Sequence, residues 1–123
     1  TVSADIAEKV NLSSAPFPNG VDEFSEANVR FVEESSSQPR LIAESPVQLK
    51  CELNRCVALG KGAGVGTLVL GNVVEILLSK KLGDVDLQKG IPPEALSNIG
   101  RMGADHYART TDIFQMARPI LKK

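Results

Sequence analysis

The longest regular pattern in the chain runs from Pro46 to Ser79. Between Val47 and Leu59 the odd positions Val47, Leu49, Cys51, Leu53, Val57 and Leu59 are apolar, while Gln48, Lys50, Glu52 and Asn54 are polar. A repeat of two sends successive side chains to opposite faces, as in a half-buried β-strand. The next segment, Thr67 to Leu78, is apolar at both parities, with Leu68, Leu70 and Ile76 on one expected face and Val69, Val73 and Leu77 on the other. Such a strand is expected inside a closed or doubly covered sheet. The intervening stretch, Gly60 to Gly66, is like a phosphate loop only in composition. Phosphate loops feed a helix N-terminus, whereas strand-like residues follow here. The glycines are expected to permit positive φ in the turn of a hairpin. The hairpin is thus expected to form part of a β-barrel-like wall.

Shorter patterns flank it. Ser3 is placed to cap a helix reaching about Leu12, with Ile6, Ala7 and Val10 on one face. Asn11 to Gly20, rich in proline and serine, reads as a loop. Asp22 is expected to cap a second short helix with Phe24 and Ala27 inward. Val29–Val32 and Arg40–Ser45 read as short strands, joined by a polar turn over Glu33–Pro39 and closed by Pro46. Beyond the hairpin, the pattern suggests a short strand around Val85 and Leu87. A helix should follow, opened by Pro92 or Pro93 and stopped by Gly100, with Leu96 and Ile99 inward. In the final segment Ile113, Phe114 and Met116 are core candidates, Pro119 is a stop, and a basic tail follows.

Composition narrows the function classes. The 123 residues are 42% hydrophobic and 24% charged, with a formal net charge of -1, which suits one domain and offers no field for nucleic acid or an anionic surface. Aromatic residues are 4% of the chain, too few for the stacking platform of a single-strand-binding barrel. No apolar run approaches the roughly 18 to 20 residues of a membrane span. Cys51 and Cys56 lie five apart on one strand, so they are expected on opposite faces, unbridged, as in a reducing compartment such as the cytoplasm. One histidine and no paired CxxC leave no ligand set for a metal.

Chemistry concentrates in Arg101 to Tyr107. This stretch holds a guanidinium fork for phosphate or carbonyl oxygens, Gly103 for close approach of a planar ligand, the lone histidine His106 and the lone tyrosine Tyr107. The same residues also allow a plain structural role, with Arg101 paired to a carboxylate, Tyr107 packed and His106 solvated. A second cluster, Asn11 to Phe17, could hold an anion and cover a ring, or be only a loop. Glu23, Glu26, Glu33 and Glu34 read as solvated. No Ser/His/Asp relay is marked, since Asp105 merely adjoins His106.

The ordered series "NLSSAPFPNGVDEF", "ESPVQLKCEL", "LVLGNVV", "IGRMGADHYART" and "FQMARP" resembles the C-terminal part of the flavin reductase-like family. The resemblance covers nearly all of residues 1–123. It implies a mainly β fold, a greek-key split β-barrel of the FMN-binding type with short helices. It also implies a homodimer and an oxidoreductase that reduces flavin with NADH or NADPH, or passes electrons through bound FMN. The R-x-G-x-x-x-Y match places Arg101, Gly103 and Tyr107 at the flavin pocket, with Ala104 where a second glycine is common. Asn11, Ser13 and Ser14 match a loop near the cofactor. Thr1-Val2-Ser3 resembles the end of a family strand, so the resemblance implies that the N-terminal part of the barrel, with most flavin and phosphate contacts, precedes this chain. A non-enzymatic split-barrel module for binding or dimerisation is the alternative.

Overall fold

The computed structural model describes residues 1–35, 38–62, 64–86 and 88–120. A 3-10 turn (Ala4–Ile6) runs into α1 (Ala7–Leu12), followed by α2 (Glu23–Glu26), β1 (Phe31–Val32) and β2 (Leu41–Ile42). The long strands β3 (Val47–Ala58) and β4 (Thr67–Leu78) come next, then a 3-10 turn (Lys80–Leu82), α3 (Pro93–Leu96), β5 (Ile99–Gly103) and β6 (His106–Arg109). The strands pair as three antiparallel hairpins, β1–β2, β3–β4 and β5–β6, and the described residues form no closed barrel. The chain is therefore mainly β with a few short helices.

Local chemistry accounts for most boundaries. Asp22 accepts a hydrogen bond from the Phe24 amide and caps α2 as expected, while Ala27 at its end is buried. Ser3 precedes its helix in extended geometry without capping it; its hydroxyl donates to Asp5 instead. Gly100 does not stop α3. The stop is Ser97, in the left-handed region at φ 45, and Gly100 already belongs to β5. Val85 lies in no strand, and Leu87 is outside the described residues.

The main hairpin corrects the face assignments. Leu49 pairs with Ile76 and Cys51 with Val73, so Val74 is an extra residue on β4; Leu53 pairs with Gly71 and Arg55 with Leu70, so Asn54 is extra on β3. Each bulge shifts the parity of its strand. Val73 consequently joins Ile76 on one face, and Cys56 joins Cys51, against the expectation from simple alternation. The cysteines remain free, because their partners Val73 and Val69 stand four residues apart on β4. Gly71 opens the space this requires: a methyl group there would sit 2.9 Å from the Cys51 Cβ. The turn glycines Gly62 and Gly64 have φ of 112 and 81, as the turn demands.

The two bulges gather the charges of the hairpin on one face, where Val57, Leu68, Leu70 and Leu77 also lie. One face carries Val47, Leu49, Cys51, Leu53, Cys56, Ile76, Val73 and Val69 without a charge, while Lys50, Glu52, Arg55 and Glu75 lie on the other. This apolar face is open: Leu53 is 67% exposed and Val69 62%. The buried apolar set lies elsewhere, at Ile6, Ala27 and Val29. Ile113, Phe114 and Met116 are exposed rather than core, and Lys122 and Lys123 of the basic tail are outside the described residues. The accessible surface is 10454 Å², whereas a folded monomer of 13.1 kDa exposes about 6,400 Å².

Ion pairs fasten the short elements. The Arg40 guanidinium lies 4.1 Å from the Phe31 ring centroid and 5.6 Å from that of Phe24, and pairs with Asp22 and Glu33 at 3.0 Å each. Glu33 is thus engaged, as is Glu34, which pairs with Lys50; neither is simply solvated. Glu44, with 8% of its side chain exposed, accepts hydrogen bonds from Lys9 Nζ at 2.8 Å and from the Arg30 amide at 2.9 Å, so α1 is tied to the strand that follows α2.

Burial pushes the Glu44 carboxyl up, but the hydrogen bonds from Lys9 and Arg30, with the Lys9 charge, outweigh it and hold the group below its ordinary range. A depressed folded-state value contributes stability above the unfolded pKa of about 4.3, and that contribution is lost as pH falls through the folded value. Glu44→Gln is expected to cost about 1–3 kcal/mol near neutral pH. Urea melts should show the gap from the unsubstituted protein closing as acid protonates the native carboxylate. A gap that stays constant into the acid range would refute this role.

Candidate functional site

The β5–β6 hairpin gathers the chemistry that the sequence shows only as a cluster. Ile99 pairs with Arg109 and Arg101 with Tyr107, so these four side chains share one face. That face meets α1, whose preceding residues are fastened to the hairpin: the Ala4 amide donates to Ser97 O at 2.8 Å and the Ile99 amide to Val2 O at 3.0 Å. At the junction Tyr107 Oη donates to Asn11 Oδ1 at 3.0 Å, across 96 positions of sequence.

Two neighbouring cavities share Ala7, Asn11, Ile99 and Tyr107 as walls. One, about 260 Å³, adds Val2, Val10, Ser14 and Arg101; the other, about 240 Å³, adds Ala4, Glu8, Ala108 and Arg109. Each combines apolar walls with a few polar groups, the usual make-up of a small-molecule site. Each is also smaller than the roughly 300–1,000 Å³ of a complete ligand pocket.

The expected site residues divide between these walls and the surrounding turns. Arg101 reaches over the Tyr107 ring, 5.8 Å from its centroid, and donates to Ala104 O at 3.3 Å; it meets no carboxylate among the described residues. Tyr107 is 44% exposed, with its ring accessible from the groove. Asn11 and Ser14 line the groove, and the Ser14 hydroxyl donates to Asn11 O at 2.7 Å. Ser13 turns its hydroxyl back onto Val10 O. Gly103 sits at the hairpin turn with φ 139 and open space around its Cα. His106 pairs with Gly103 beyond the groove and is exposed. Among the residues that sequence reasoning passed over is Arg109. It stands two places after Tyr107 on the same strand face, a period-two signal readable once that segment is taken as a strand.

No group of three potential metal-ligating side chains occurs among the described residues, and no described helix is long and apolar enough to cross a membrane.

No family model matches the chain. An uncharacterised protein of Deinococcus radiodurans is 30% identical over 119 residues, 95% of this chain and 50% of that protein. Among solved structures, nitrilotriacetate monooxygenase component B from Bacillus cereus superposes with a TM-score of 0.76 at 23% identity, over 93% of this chain and 56% of that one. Pseudomonas fluorescens 2-nitrobenzoate 2-nitroreductase NbaA gives 0.77 at 22% identity, over 97% and 57%. The chain shares the fold of these two proteins and spans about half the length of the relatives it matches.

Ala104, at the turn that positions this hairpin, has φ 45. A left-handed conformation costs an L-residue about 1–2 kcal/mol, against about 0.5–1 kcal/mol for the extra freedom of an unfolded glycine. Ala104→Gly is therefore expected to raise stability by up to about 1 kcal/mol. In urea unfolding the midpoint should rise at an unchanged slope, and a clear fall would count against the strain.

Proposed function

We propose that this chain is the C-terminal part of an FMN-binding oxidoreductase of the split-barrel type, which acts as a homodimer and draws electrons from NADH or NADPH. The carrying observation is the groove in which Tyr107, Asn11 and Arg101 converge over apolar walls. Its chemistry suits a flavin. Ile99 and Val10 offer apolar contact to a planar ring, and the Tyr107 ring offers an aromatic surface. Arg101, Asn11 and the Ser14 hydroxyl supply polar groups for the oxygens and nitrogens at its rim. The fold supports the reading, because a monooxygenase component and a nitroreductase share it, although fold alone does not set chemistry.

Bound FMN would supply hydride acceptance and electron transfer. The chain's own part is to bind, orient and shield. The Tyr107–Asn11 hydrogen bond holds the ring of Tyr107 against α1, and Arg101 stands fixed between that ring and Ala104 O. Each cavity is too small for the whole cofactor, so this chain holds one part of it and other polypeptide holds the rest. The surplus of roughly 4,000 Å² over a folded monomer of this mass supports association with further protein, a second copy included. Free Cys51 and Cys56 suit a reducing, cytoplasmic setting.

The full-length protein carrying this chain is expected to take up FMN stoichiometrically and to oxidise NADH or NADPH when loaded. Arg101→Gln should weaken FMN binding about tenfold or more, the loss of one charge-assisted hydrogen bond. Residues 1–123 alone should bind FMN weakly by fluorescence quenching. Failure of the full-length protein to bind added FMN would defeat the proposal. Binding without turnover would favour a non-enzymatic split-barrel module.

A further inference from the structure

The cavity on the far side of the Tyr107–Asn11 hydrogen bond contains two opposite charges, Glu8 from α1 and Arg109 from β6. Neither is drawn into an ion pair or a hydrogen bond among the described residues. Opposite charges that line one cavity without closing on each other leave a donor fork on one wall and an acceptor on the other. The Arg101 cavity differs: its one charge is cationic, with neutral Ser14 and Asn11 beside it. The groove is thus chemically divided, with an anion-tolerant half and a half fitted to a neutral group that both donates and accepts.

We propose that the Glu8–Arg109 half binds the primary carboxamide of a nicotinamide ring. Arg109 donates to the amide oxygen, and the Glu8 carboxylate accepts from the amide NH2. A carboxamide matches the pair in both sense and charge, because it presents one carbonyl and one amino group without adding net charge to the cavity. A volume of about 240 Å³ takes such a head group but not a dinucleotide, whose remainder stays outside. Ala4, Ala7 and Ile99 supply apolar wall for the ring. The shared wall at Tyr107 and Asn11 sets this half directly beside the Arg101 half. The inference rests on the flavin reading above, with the two halves serving the two partners in electron transfer. Glu8 and Arg109 are accordingly specificity-determining residues for the electron donor.

The test compares NAD⁺ with its 3-acetylpyridine analogue, in which a methyl group replaces the amide NH2. Dissociation constants are measured by titration calorimetry on the FMN-loaded full-length protein, so the readout is binding rather than turnover. The unsubstituted protein is expected to prefer NAD⁺ about tenfold, a typical penalty for an unpaired hydrogen-bonding group. Glu8→Ala should erase that preference, and Arg109→Gln should weaken both ligands several-fold. FMN affinity should hold in both variants, which also reports that they are folded. An intact preference in Glu8→Ala, or unchanged affinities in Arg109→Gln, with FMN still bound, would overturn the inference and leave the flavin reading standing. Failure of the unsubstituted protein to bind FMN would remove the reading on which the inference depends.

Discussion

Glu44 fastens α1 to the first small hairpin, and the placement of that helix matters to the rest of the structure. Its carboxylate, almost wholly out of solvent, takes the Lys9 ammonium from α1 and the Arg30 amide from the approach to β1. A nearly buried charge is tolerated only when its partners satisfy it, so this one fixes α1 in place relative to the first small hairpin. Asn11 is two residues from Lys9, and its bond to Tyr107 depends on where that helix lies. The groove itself is closed by the bonds from Ala4 to Ser97 and from Ile99 to Val2, and the Glu44 contact adds a second anchor for the same helix. The buried apolar set is too small to anchor it by packing alone.

The main hairpin shows a different economy. Its bulges at Asn54 and Val74 bring every charge of the two strands to one face, which Val57, Leu68, Leu70 and Leu77 share, and leave the other face uncharged. This uncharged face stays largely exposed, with Leu53 and Val69 among its open residues. It also explains why the exposed area exceeds that of a compact chain of this mass by so much. The two solved structures that share this fold are longer, and this chain covers a little over half of each.

Much of the fold is legible in the sequence where the signal is local. The period of two places β3, and the continuous apolar run places β4, within a residue of their observed ends, and Asp22 caps α2 because its side chain reaches the Phe24 amide. Bulges are illegible to strict alternation, which is why Cys51 and Cys56 are assigned to opposite faces and are found on one. Ile113, Phe114 and Met116 read as core by hydrophobicity, yet among the described residues they stay exposed, Phe114 and Met116 most of all. At the site, Arg101 and Tyr107 stand out as residue types. The β5–β6 hairpin that aligns them with Arg109 goes unread, since a four-residue strand with polar side chains carries a weak pattern.

The Tyr107–Asn11 hydrogen bond has a bearing on the order in which the molecule is assembled. The long hairpin closes on itself through the short turn between Ala58 and Thr67, whereas Lys9 meets Glu44 across 35 positions and Tyr107 meets Asn11 across 96. Loop-closure entropy rises with span, and long-range contacts are made late. The groove is then completed only after its helix and its hairpin exist separately. The Tyr107–Asn11 contact is thus a late mark of folding, made only after the local elements it joins have formed.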